Sequence, residues 1–218
     1  MRMMLAILLC KAMRLAGRLL GRGSSLPGQF ALKVCPDVLG RVKLPRHIIA
    51  VTGSNGKTST VEMIAAILTA AGRQVVYNKE GSNQIEGVTT LILSQCTLGG
   101  RVRGDVLLLE SDERYARHTF RWFRPTHFII TNLYRDQLTR NGHPQWVYES
   151  ILPAIHPDET LVLNADDPLV ACFARGHDPE KVKWFGLEEC SISTKEHHGV
   201  YHDGLRCPVC GGKMEYDC

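Results

Sequence analysis

A chain of 218 residues, 44% hydrophobic and 22% charged, is long enough to bury a full core and has the balance of a soluble globular protein. Its net charge of +4 is compatible with anionic ligands or anionic lipid headgroups but too small to argue for nucleic acid, and no apolar run approaches the ~20 residues that cross a bilayer. Eight cysteines in a chain that also carries a phosphate-type loop point to a reducing compartment, where paired cysteines more often hold metal than form disulfides.

Met1 to Arg22 is basic and amphipathic, with Leu5, Leu8, Leu9, Ala12, Leu15, Ala16, Leu19 and Leu20 interrupted by Lys11, Arg14, Arg18 and Arg22. The spacing predicts a packed helix. A secretory signal fits less well, because Leu5 to Cys10 is short for its apolar core and Lys11 breaks it. An interfacial helix on anionic lipid is a sharper reading of the same residues. Arg22 to Gly28 (RGSSLPG) reads as a linker or ordered loop, and Gln29 to Leu39 carries no chemical signal.

His47 to Val51 reads as a buried strand, and apolar residues at helical spacing resume from Val61 through Ile64, Ala65 and Leu68. Between them lies VTGSNGKTST, Val51 to Thr60. Gly53 and Gly56 let the backbone approach an anion at a helix N-terminus, Lys57 adds a mobile cation, and Thr58 offers a hydroxyl to a magnesium ion. Gly53, Ser54, Asn55, Gly56, Lys57, Thr58 and Ser59 are therefore the candidate nucleotide-phosphate residues, in a shorter GxxGKT form of the P-loop. The bland alternative is a glycine-rich turn with a solvated lysine.

The helix after this loop is expected to end near Gly72, followed by a short strand, Val75 to Tyr77, and a polar loop, NKEGSNQIEGV. Thr89 to Ser94 fits either helix or strand. Asp105 to Leu109 is an aliphatic run suited to a strand covered on both faces, and Glu110 at its carboxyl end is placed to hold magnesium. Ser111 or Asp112 would cap a helix from Glu113 to Phe120. Thr126 to Thr131 is another buried strand, leading into NLYRDQLTRNG. Trp146 to Ile155 reads as a helix, Thr160 to Leu163 as a strand, and Asn164 to Pro168 (NADDP) as an Asx turn capping a helix from Pro168. Lys183 to Gly186 adds a last strand. Strands alternating with helices predict an α/β fold with a mostly parallel sheet and helices on both faces.

Beyond Leu187 the chain turns polar, then reads CPVCGGK from Cys207 to Lys213. Two cysteines two residues apart, with glycines behind the second, form the knuckle of a zinc ribbon; a redox CxxC pair is the rival. Cys190, His197, His198, His202 and Cys218 are further possible ligands, none at convincing spacing.

GSNGKTST, NKEGSNQIEG, TNLYRDQLTRNG, NADDP and the cysteine knuckle, in this order, resemble the Mur ligase family of ATP-dependent amide-bond ligases, most closely the branch that forms one subunit of lipid II isoglutaminyl synthase. The resemblance implies ATP and magnesium, with catalytic Lys57 and Glu110 and with Thr58 and Glu110 on the metal. It assigns Asn78, Glu80, Asn83, Asn132 and Asp136 to the substrate or γ-phosphate side, Asn164 and Asp166 to the nucleoside, and Cys207 and Cys210 to zinc. Gln137 and Thr139 depart from the family's histidine and aspartate, which puts a second magnesium site in doubt. The implied layout is an N-terminal helix and loop at 1–40, an ATP-binding domain at 41–187, and the start of a zinc ribbon at 188–218, truncated before its second pair. The implied partners are a GatD-like glutaminase in a heterodimer and lipid II at the inner membrane face of a cytoplasmic reaction. An amino-acid or folylpolyglutamate ligase of the same family, and a zinc-ribbon binding module with a vestigial P-loop domain, are the rival expectations.

Overall fold

The computed structural model describes residues 1–19, 25–78, 84–134, 143–191 and 205–215. Its centre is a six-stranded sheet in the order β2-β3-β1-β4-β5-β6, formed by β1 (His47–Thr52), β2 (Val75–Tyr77), β3 (Val106–Glu110), β4 (His127–Ile130), β5 (Thr160–Asn164) and β6 (Val182–Phe185). Every pairing is parallel. The carboxyl ends of the strands, and the loops that leave them, therefore all point to one edge. β1 lies in the middle, with β3 on one side and β4 on the other, so its exit loop is flanked by two other exits.

Side-chain alternation sorts the strands' apolar residues onto two faces. Ile49 and Val51 of β1, Leu108 of β3 and Ile129 of β4 pack with Val61, Ile64 and Ala65 of α4 (Lys57–Ala70). Ile48, Ala50, Leu107, Leu109, Phe128, Ile130, Leu161 and Leu163 form the larger core on the opposite face. This core also takes residues of α1 (Arg2–Leu19), α2 (Leu26–Val34), α3 (Val38–Arg41), α5 (Ile85–Gln95), α6 (Ala116–Thr119), α7 (Pro144–Ile151) and α8 (Pro168–Ala171). The parallel, doubly covered sheet expected from the aliphatic runs is present.

The N-terminal helices are part of that core. Ala6, Ile7 and Cys10 of α1 and Ala31 of α2 are fully buried, and Lys11 Nζ donates to Ser94 O of α5 at 2.9 Å. Residues 25–28, expected as loop, instead run into α2: Pro27 sits in its first turn, where it removes no helical hydrogen bond. Gly28 lets α2 press on α5, since a Cβ there would lie 1.9 Å from Glu86 O.

Other expectations shift for local reasons. The stretch left open at Thr89 to Ser94 is α5, an eleven-residue helix in which the Thr89 and Thr90 hydroxyls donate to carbonyls one turn back. The helix expected from Glu113 to Phe120 shrinks to α6, because Asp112 Oδ1 accepts from Arg114 N and turns the chain first. Ser111 Oγ has no hydrogen-bond partner and caps nothing. α7 starts at Pro144, capped by His143 Nδ1 accepting from Gln145 N, and tightens into a 3-10 turn at Leu152–Ala154 around Pro153. α4 ends as expected: Ala71 N donates to Ile67 O and Gly72 closes the turn at φ +76°.

Candidate phosphate-binding site

The loop between β1 and α4 is held from both flanks. On the β4 side, Asn132 Oδ1 accepts from Asn55 N at 2.9 Å while its Nδ2 donates to Asn55 O at 3.1 Å, so one amide side chain holds the backbone donor and acceptor of one residue. Thr131 Oγ1 also donates to Asn55 O (2.7 Å). Ser54 N donates to Asn132 O (2.8 Å), and Ser54 Oγ exchanges hydrogen bonds with the Tyr134 backbone. Gly53 is obligatory here: its φ is +131°, and a Cβ would meet Thr131 Oγ1 at 2.2 Å. Nothing lies within 4 Å of the place a Cβ would occupy at Gly56, where the loop opens outward at the start of α4. The first amides of a helix lack intrahelical acceptors, so that opening leaves donors that an anion could meet.

On the β3 side stand the acids. Thr58 Oγ1 donates to Glu110 Oε2 at 2.8 Å, a contact set by the pairing of Val51 with Glu110 across β1 and β3. Lys57 Nζ folds back over the loop, donating to Gly53 O (2.5 Å) and Ser54 O (3.2 Å) and pairing with Glu113 Oε2 at 3.3 Å. Glu113 was read from sequence only as the start of a helix. Its role as the ammonium's counter-ion depends on how the chain turns after β3, which no spacing rule reveals. Thr58 and Ser59 lie exposed on the first turn of α4.

Asn164 and Asp166, assigned to the nucleoside side, are engaged within the fold. Asn164 Nδ2 donates to Thr131 O (2.9 Å) and its Oδ1 accepts from Asp166 N (3.0 Å), while Asp166 Oδ2 accepts from Leu187 N (3.0 Å). Their neighbour Asp167 is the cap expected of this motif, and its contact with the β4 exit is the part that sequence reasoning missed. It is buried, accepts from Leu133 N at 2.7 Å and caps α8, tying the β4 exit to the β5 exit. Burial pushes its carboxyl above the usual carboxylate range, and the Leu133, Val170 and Leu169 amides pull it part of the way back. Asn78 follows β2 directly. Glu80, Asn83 and Asp136, with Gln137 and Thr139, lie outside the described residues, as do His197, His198, His202 and Cys218.

Away from the loop, Cys207 to Gly212 forms a tight turn in which Cys207 N donates to Gly212 O and Gly211 N to Cys207 O. The Cys207 thiol sits below its ordinary range, because the Cys210 and Val209 backbone amides point at it. Among the described residues no group of three or more His, Cys, Asp or Glu side chains is placed to hold a metal.

A parallel sheet with a glycine loop between β1 and α4, a carboxylate on the adjoining strand and a second asparagine-bearing exit makes an α/β domain of the P-loop type, and residues 51–214 match the Mur ligase middle domain. The chain belongs to the Mur ligase family. It is 35% identical to the MurT subunit of lipid II isoglutaminyl synthase of Streptococcus pneumoniae over 201 residues, covering 91% of this chain and 43% of that one. The MurT subunit of Staphylococcus aureus (strain N315) is 32% identical over 220 residues, covering 100% and 48%. The chain thus spans about half the length of the curated relatives it matches. Among solved structures, a pseudomurein peptide ligase type C from Methanothermus fervidus superposes with a TM-score of 0.64 at 27% identity, covering 84% of this chain and 35% of that one. MurF ligase from Thermotoga maritima, solved with ADP, shares the fold at a TM-score of 0.55 and 21% identity, over 73% and 36% of the two chains.

Proposed function

We propose that this chain is the ATP-binding part of a ligase subunit that activates the D-glutamyl carboxylate of the lipid II stem peptide as an acyl phosphate, for amidation with ammonia from a GatD-like glutaminase partner in peptidoglycan synthesis. The observation that carries the reading is the contact of Thr58 Oγ1 with Glu110 Oε2 at 2.8 Å beside the folded-back Lys57, at the mouth of a loop clamped by Asn132. The relatives' names, which give lipid II isoglutaminyl synthase as glutamine-hydrolyzing and MurT as a subunit of it, support lipid II as the substrate and a second subunit as the source of ammonia. The reaction belongs in the cytoplasm at the inner membrane face.

In this reading residues 41–187 bind ATP, 1–40 support them, and 188–218 carry a cysteine knuckle. Lys57 turns from Gly53 O and Glu113 to the β- and γ-phosphates, and the amides around Gly56 hold the same oxygens. Asn164 and Asp166 order the β5 exit on the nucleoside side, and Asn78, Glu80, Asn83, Asn132 and Asp136 are assigned to the substrate or γ-phosphate side. Thr58 and Glu110 suit magnesium, since both offer hard oxygen atoms already in contact. When bound there, magnesium supplies charge neutralisation for the transferring phosphoryl group. Cys207 and Cys210 are proposed as half of a zinc site; Cys207→Ser should halve or abolish zinc uptake, and tight uptake unchanged by it sinks that assignment.

The test of the ligase reading pairs the full-length natural protein with a glutaminase and follows amide formation on lipid II alongside ATP titration. Lys57→Ala should weaken ATP binding about 10- to 100-fold, the loss of one charge-assisted hydrogen bond of ~1.5–3 kcal/mol, and should stop amidation. Equal ATP affinity in the two proteins would instead mark a vestigial loop.

A further inference from the structure

We infer that the outward face of α1 is a docking surface for an anionic lipid bilayer. α1 is apolar on two sides. Its inner side, with Ala6, Ile7 and Cys10, is consumed by the core. Its outer side carries Met4, Leu5, Leu8 and Leu15, with Met1 just ahead of its first residue, and Leu5 is 56% and Leu15 65% exposed. Met1, Met4, Leu5 and Leu8 stand at three- and four-residue steps and Leu15 two turns beyond Leu8, all on one helical stripe. Leu26 and Phe30 of the adjoining α2 are also half exposed. A surface helix of a globular fold ordinarily turns charges outward; this one turns leucines.

The charge pattern chooses the occupant. No Asp or Glu occurs before Asp37, while the same stretch holds Arg2, Lys11, Arg14, Arg18, Arg22 and Lys33. All of the protein's net charge of +4 is thus matched or exceeded by its first 36 residues. Lys11 and Arg14 reach Ser94 at the end of α5, so their cationic ends sit along one border of the stripe, and Lys33 Nζ lies 5.2 Å from the centre of the Phe30 ring. An apolar stripe with cations along one border and no acid in its own segment is the pattern of a helix lying in the plane of a membrane interface, with aliphatic side chains below the headgroups and cations among them. Among the described residues no helix is long and apolar enough to cross a membrane, so the contact is peripheral. The inference adds a surface to the ligase reading and rests on it for the choice of membrane, where a lipid-anchored substrate would be presented.

The test is co-sedimentation of the chain with vesicles of phosphatidylglycerol and phosphatidylcholine, and with phosphatidylcholine alone, with ADP affinity measured on the same samples. The chain should bind the anionic vesicles, lose most of that binding when salt rises from ~0.05 to ~0.5 M, and bind phosphatidylcholine at least ~10-fold more weakly. Leu5→Glu/Leu15→Glu should reduce anionic vesicle binding at least ~10-fold while leaving ADP affinity within about two-fold, because neither residue touches the phosphate loop. Leu15→Glu alone, at the most exposed of the leucines, serves if the double variant fails to fold. Absence of vesicle binding, binding indifferent to these substitutions or to lipid charge, or a dimer abolished by them in their place, overturns the docking surface. Loss of ADP binding in the unaltered chain would count against the ligase reading only.

Discussion

Glu113 and Glu159 are buried almost equally, 4% and 2% exposed, at opposite ends of one parallel sheet. Their surroundings differ. Glu113, three residues past the carboxyl end of β3, has the Lys57 ammonium at 3.3 Å. Glu159, one residue before the amino end of β5, has a backbone amide, His156 N at 3.2 Å, on one oxygen, and the other oxygen makes no hydrogen bond. Burial therefore pushes the Glu159 carboxyl up to about 7, against a smaller opposing pull from His156 N and Arg124. At the carboxyl edge a buried carboxylate has a cation beside it; at the amino edge burial raises the carboxyl, which keeps its proton to higher pH.

The largest expected effect strikes the carboxyl edge. Gly53→Ala places a methyl 2.2 Å from Thr131 Oγ1 at a backbone φ of +131°. It should cost about 3 kcal/mol or more of stability in denaturant titration and reduce ADP affinity about 100-fold by unclamping the loop. Normal affinity would mean that the clamp to the β4 exit is dispensable.

The amino edge sets the next. Because the folded-state value of Glu159 lies above its unfolded value of 4.5, the folded protein holds the extra proton between pH 4.5 and about 7, and stability falls as pH rises through that window. The fall is at most about 3 kcal/mol. Glu159→Gln should flatten it, as read from melting curves at successive pH values; an unchanged slope would show that Glu159 is ionised in the folded protein.

The smallest effect probes the pair that distinguishes the two ends. Glu113→Gln keeps the side chain's shape and releases Lys57, so ADP binding without divalent cation should tighten by roughly three-fold, under ~1 kcal/mol. The gain should vanish in a Lys57→Ala background. A weakening, or a gain that survives loss of the lysine, would make Glu113 a support of the loop rather than a brake on it.

Residue order alone determined the parallel sheet, because aliphatic runs covered on both faces and glycine-bounded strand exits leave few alternatives. It also determined the local geometry of the glycine loop: Gly53, Lys57 and Thr58 lie within a few residues of one another, where sequence distance and spatial distance coincide. Asp167 as a cap was legible for the same reason. Tertiary structure decided everything that joins separate exits. Asn132 gripping Asn55, Asp167 accepting from Leu133 and Glu113 facing Lys57 link residues 34 to 77 positions apart, and each depends on strand register. It also decided that α1 spends one apolar side on the core and keeps another outside. Periodicity reports that a helix is apolar, whereas which side is covered depends on the neighbours it meets, here α2 and α5.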